Sequence, residues 1–199
     1  MVAVQIKTAR SIRASAHASL PAESLGSAEL DALSLAIITD KPLQRWVRGL
    51  EKVDLATIRV QIAKVLARHR TEAPRPTAHP IDMHQRVMDG FGGAAILISS
   101  ALLLDTLGEA EGFFHLSFKT IKAKIGQVLE PGPSELALRM ARATLAAAAV
   151  FGDIDAGRAY LRTKNFALGG AAPIDLLRTA EGERIVLNEL QTQADGGPL

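Results

Sequence analysis

The chain of 199 residues contains no cysteine, which removes a disulfide framework and any thiolate metal site. Aromatic residues make up only 4% of it. Strands favour β-branched and aromatic side chains, so a chain rich in Ala and Leu predicts closely packed helices instead. No apolar run is long enough to cross a bilayer, which takes about 20 residues. The best candidate, 94–107, is interrupted by Ser99, Ser100 and Asp105 and reads as one buried helix. No continuous apolar segment follows the first positive charges, which argues against a secretory signal.

Enzyme signatures are missing as well. There is no Gly-x-Ser-x-Gly elbow. His17, His69, His79, His84 and His115 are dispersed, with none paired at helical spacing, whereas zinc needs three or four converging ligands. Gly90-Phe91-Gly92-Gly93 follows no strand and precedes no Gly-Lys-Ser/Thr, so it reads as a helix-breaking turn and not as a phosphate loop. Asp153 and Asp155 flank a helix start, where carboxylates cap and complement the dipole. Tyr160 reads as a packed side chain with a satisfied hydroxyl. The expectation is a protein without catalytic residues, metal or cofactor.

What is present is apolar bulk and uneven charge. Nearly half the residues are apolar, and the net charge is +2. Residues 1–75 hold 12 Lys/Arg against 7 Asp/Glu, while 76–199 hold 11 against 14. That split fits contact with nucleic acid or ordinary surface scatter equally well. Residues 1–27 carry Lys7, Arg10 and Arg13 with no acid before Glu23, the composition of a basic arm or of a transit-peptide-like segment. From Ser27 to Arg70 the apolar spacing is helical. Asp40 and Pro42 mark one helix start and Asp54 the next, whose outer face shows Arg59, Lys64 and Arg68. Pro74, Pro76 and Pro80 preclude a continuous helix and suggest a linker.

Residues 108–114 suggest a short helix, 115–117 a turn, and 118–128 a second helix capped by Ser117. Ser134 would cap a long helix to Phe151, whose run of alanines admits a second helix closely, either within the chain or across a homodimer. A helix from Ile154 stops at Lys164-Asn165, where Asn tolerates a left-handed closing conformation. Gly169 and Gly170 permit a sharp turn or a close backbone approach. Pro173 starts another helix. Leu168 is a plug into the core or an anchor for a partner, and Leu176 and Leu177 build the core. Thr179 caps a last helix ending near Ala194, before the tail Asp195-Gly196-Gly197-Pro198-Leu199.

The run from Asn165 to Leu177, with Phe151-Gly152-Asp153 before it and Glu181-Gly182 after it, resembles the toxin-binding domain of Xre/MbcA/ParS-type antitoxins. The likeness extends over roughly 90–199 and is sharpest over 151–182. It implies an all-α helical bundle with an Xre-like helix-turn-helix, followed by a small helical toxin-binding domain. On that reading 1–75 is a basic amino-terminal extension, 81–133 the helix-turn-helix region and 134–199 the toxin-binding domain. The implied partner is a RES-domain toxin that attacks NAD. Asn165, Leu168, Gly169, Gly170 and Pro173, with Asp195, Gly196, Gly197, Pro198 and Leu199, are the expected toxin-facing residues.

Operator DNA is a second implied partner, through Ser117, Lys119, Thr120, Lys122 and Lys124. Two departures bear on it. His115 stands where the family turn has Gly, and the second helix offers lysines without arginines, which suits phosphate contact better than base reading. A helix pair retained only as scaffold is the other reading. The resemblance further implies homo- or hetero-oligomers and a cytoplasmic location, with which the lack of cysteine agrees. The alternative function is that of a stand-alone helix-turn-helix transcriptional regulator.

Overall fold

The computed structural model describes residues 26–71 and 80–196. The basic arm, most of the Pro-rich linker and Gly197, Pro198 and Leu199 lie outside the described residues. Among those described, the regular elements are all helical, and Gly92 and Val128 form an isolated antiparallel bridge. The elements are α1 (Ser27–Thr39), α2 (Lys41–Arg48), α3 (Leu55–Thr71), α4 (Pro80–Asp89), α5 (Ala94–Leu103), α6 (Leu107–Phe114), α7 (Phe118–Lys124), α8 (Pro131–Phe151), α9 (Ile154–Arg162), the 3-10 turn η1 (Phe166–Leu168), α10 (Pro173–Leu176) and α11 (Ala180–Ala194). The chain is an all-α bundle.

α5 is the axis of the bundle, with all ten of its residues buried. The long α8 packs along it, α3 and α2 cover another side, and α1, α9 and α11 lie against α8. One apolar core runs from Leu35, Ile38, Ile58 and Ile62 through Ile96 and Leu102 to Leu145, Leu161, Leu177 and Val186. A wholly buried helix cannot send its last carbonyls to water, so they need internal donors. Arg59 of α3 supplies two, donating to Ala101 O at 2.8 Å and Leu104 O at 3.0 Å. Arg158 of α9 donates to Leu104 O at 3.2 Å. Arg59 therefore leaves the solvated basic face expected of α3, while Lys64 stays exposed.

Several helix starts follow the side-chain chemistry. Asp40 accepts from Leu43 N at 2.7 Å, Asp54 from Ala56 N at 3.1 Å, and Asp153 from Ala156 N at 2.8 Å. Three boundaries differ from expectation. The helix expected over 94–107 stops at Leu103, because Thr106 caps α6 through Glu109 N. α7 ends at Lys124 and not at Val128: the chain turns at 125–127, and Gly93 N donates to Gln127 O and Leu129 N to Phe91 O, pairing 127–129 with the glycine segment. Ser134 does not cap α8, which begins at Pro131. Its hydroxyl lies inside, donating to Glu130 O at 2.9 Å and accepting from Phe91 N at 3.0 Å. The glycine cluster thus lets two backbone segments cross. A Cβ on Gly93 would collide with Lys124 O, which explains why a bare residue stands there.

The alanine-rich surface of α8 has an intramolecular partner. Gly157 of α9 lies directly on the backbone of Ala147 and Ala148. Toward the middle of α8, buried Glu183 of α11 pairs with Arg142 of α8 at 2.6 Å and lies 3.5 Å from Arg139. Arg142 also pairs with Asp31 of α1. Burial works against the Arg142 charge, but Glu183 and Asp31 prevail and push its pKa above the ordinary arginine value.

Candidate functional site

The carboxy-terminal helices hold up one rigid loop, 165–171. Phe151, the last residue of α8, stacks on Tyr160 of α9 with ring centroids 4.5 Å apart. The Tyr160 hydroxyl accepts from Asn165 Nδ2 at 3.0 Å, so the expected satisfied hydroxyl is present and ties the loop to its base. Burial raises the Tyr160 pKa, with the Asn165 hydrogen bond opposing that shift, and the group stays protonated at neutral pH.

Asn165 works differently from expectation. Its backbone is extended, with φ −120° and ψ 125°, and its side chain accepts from Ala167 N at 2.9 Å as the cap of η1. The carbonyl of Asn165 accepts from Leu168 N at 3.1 Å and Gly170 N at 2.9 Å. Its own N–H closes the ring on Ala171 O at 3.0 Å. Gly169 N donates to Phe166 O and Ala171 N to Leu168 O. The N–H groups of Asn165 and of 167–171 are therefore all satisfied within the loop, which fixes its shape without a partner.

Gly169 and Gly170 have φ of +68° and +82° with open space around each. Of the two uses left open for them, turn handedness is the one the structure employs. Leu168 is half-buried against the core, and Pro173 is buried at the start of α10. Leu177 is fully buried and Leu176 partly so. Arg139 of α8 donates to Leu177 O at 3.2 Å and anchors the end of α10. Thr179 caps α11 through Gly182 N at 3.0 Å. Asp195 and Gly196 are exposed just after α11.

One residue of this loop was not singled out from sequence. Phe166 is 98% exposed at its apex. Apolar periodicity assigns a Phe beside Leu168 to the core, and only the η1 geometry turns Leu168 inward and Phe166 outward.

Two links join the loop's support to the helix pair α6–α7. Arg162 of α9 meets Glu109 at 2.7 and 3.1 Å and Asp105 at 3.0 Å, and Arg158 also pairs with Asp105. The Arg162 hydrogen bond holds the Glu109 carboxyl below its ordinary range. Partial burial works against the Asp105 charge, but the Arg158 hydrogen bond and the Arg162 and Arg158 charges prevail, and its pKa is lowered too. Arg178 lies 4.7 Å from the Phe113 ring centre and donates to Gly112 O at 3.1 Å.

In the helix pair, His115 adopts φ +53° at the turn, the left-handed conformation in which glycine is at ease. Ser117 caps α7 through Thr120 N at 3.2 Å, with the two hydroxyls 2.9 Å apart. Glu111 accepts from Phe118 N, and buried Ile121 anchors α7 from below. Lys119 and Lys122 are exposed, whereas Lys124 is half-buried and 3.4 Å from Glu130. The two exposed lysines are the cations that α7 offers to solvent.

Among the described residues no group of His, Asp and Glu is placed to hold a metal ion, and no helix is long and apolar enough to cross a membrane. No curated protein matches the chain. Residues 146–196 match the family model described as the antitoxin Xre/MbcA/ParS C-terminal toxin-binding domain. The match starts within α8 and ends just past α11, so it takes in the loop and its support but not α6 and α7. The match covers about a quarter of the chain, with the loop near its centre, so residues 146–196 are similar to the Xre/MbcA/ParS C-terminal toxin-binding domain.

Proposed function

We propose that the chain is an antitoxin that binds and neutralises a RES-domain toxin by covering the cleft in which that toxin uses NAD. The observation that carries this reading is the coincidence of the family match with a self-satisfied, outward-facing loop on a rigid helical base. A preorganised loop loses little entropy when it docks, which favours its use as a binding element. On this reading neutralisation is steric and the chain performs no chemistry. The loop 165–171 and α10 form the docking face, and Asp195, Gly196, Gly197, Pro198 and Leu199 are further toxin-binding residues, the last three outside the described residues.

The test is co-expression with a RES-domain toxin encoded beside this chain, scored by growth and then by co-purification. Rescue with a stable complex supports the reading, and a chain truncated after Ala194 then loses protection while the complex persists. Toxicity unrelieved by the full chain, with no complex, refutes it.

DNA-binding autoregulation is compatible with this proposal, and a stand-alone regulator is the second reading. The favouring observation is the capped α7 with Lys119 and Lys122 exposed beyond a left-handed turn. Phosphate contacts of that kind make affinity steeply salt-dependent, so operator binding measured without toxin across a salt series discriminates between the two.

A further inference from the structure

We propose that Phe166 is the aromatic anchor by which this chain seizes its toxin, inserting into an apolar, phenyl-sized socket on the toxin surface. The inference rests on the antitoxin reading above and names the side chain that would dominate the contact.

Phe166 is 98% exposed, while the next most exposed of the large apolar side chains described, Val128, is 67% exposed. Scattered exposed apolar residues are ordinary on protein surfaces, so exposure alone would mean little. Three further observations set this one apart. It lies on a loop whose N–H groups at 165 and 167–171 are all satisfied internally, so the loop holds its shape without any contribution from the ring. Its neighbour Leu168 already fills the inward position, leaving the ring no place in this core. It also lies within the segment that matches a toxin-binding domain.

A ring held out this way buries about 150–250 Å² on docking. It has few rotamers to lose, and its backbone is already fixed through Asn165 and Tyr160. Interface energy concentrates in such rigid, fully desolvated aromatic anchors.

The experiment titrates the full chain against the purified RES-domain toxin by calorimetry, comparing wild type, Phe166→Ala, Phe166→Leu and Val128→Ala. Phe166→Ala is expected to bind about 30-fold more weakly or worse, Phe166→Leu to fall between, and Val128→Ala to match wild type. Circular dichroism and the thermal midpoint of Phe166→Ala should equal those of wild type, because the residue is 98% exposed. Equal affinity of wild type and Phe166→Ala overturns the anchor while leaving the antitoxin reading intact. A wild-type chain that fails to bind overturns both. Sedimentation of the chain alone covers the remaining occupant. A self-associated species that Phe166→Ala dissociates, with toxin affinity unchanged, would make the ring a homodimer contact and refute the assignment.

Discussion

Gly157→Ala tests the packing that supports the loop. The substitution is made inside α9, where helix propensity alone favours Ala over Gly by about 1 kcal/mol. The new methyl, however, would stand 2.6 Å from Ala148 N and 2.8 Å from the carbonyl carbon of Ala147. Both are backbone atoms of α8, which cannot rotate aside as a side chain can, so α9 must shift. Overpacking of this kind costs about 1–3 kcal/mol, and a backbone clash belongs near the upper end. The propensity gain offsets part of it, leaving a net loss of roughly 2 kcal/mol. For a domain of this size that lowers the thermal midpoint by about 4–8 °C.

Gly112→Ala is the matched control. It lies inside α6 with nothing within 4 Å of its Cβ position, so only propensity acts and the variant gains up to about 1 kcal/mol. The assay is urea unfolding of the two variants beside wild type, followed by circular dichroism. Opposite signs are expected from the same chemical change. A Gly157→Ala protein as stable as wild type, or stabilised like Gly112→Ala, would refute the close α8–α9 contact. Because α9 carries Tyr160, which holds Asn165, the destabilised variant should also bind toxin more weakly.

Two other outcomes test the remaining architecture. His115→Gly relieves a left-handed residue and should raise stability by about 1 kcal/mol, seen as a thermal midpoint about 2–4 °C higher; an unchanged or lower midpoint would contradict the turn geometry. Glu109 and Asp105 have lowered pKa values in the folded state, so their ion pairs with Arg162 stabilise the fold fully above about pH 4.5 and lose that effect as pH falls through the folded values. Arg162→Met should therefore be less stable than wild type at neutral pH, with the gap narrowing from about pH 5 to about pH 3; a gap that widens on acidification would contradict the pairing.

The sequence carried much of the fold because its signals are local. Asp40, Asp54, Asp153 and Thr179 each cap the helix they precede, since a carboxylate or hydroxyl needs only the next three residues to do so. The mostly apolar run of 94–103, broken only by Ser99 and Ser100, pointed to the burial of α5. Ser134 and Asn165 were misjudged because each side chain serves two partners at once. Ser134 donates to Glu130 O in its own helix and accepts from the distant N–H of Phe91. Asn165 divided its amide between Tyr160 and Ala167.

By itself, then, the sequence determined the helical class, most helix starts and the likeness of the carboxy-terminal segment to a toxin-binding domain. All three follow from short-range chemistry or from spacing within one segment. Only the tertiary structure decided that Arg59 and Arg158 turn inward to satisfy the end of α5, that Gly157 makes room for α8, and that Phe166 faces out while Leu168 faces in. Those outcomes depend on which carbonyls lose access to water and which backbones touch. Neither is defined until residues far apart in the chain have met.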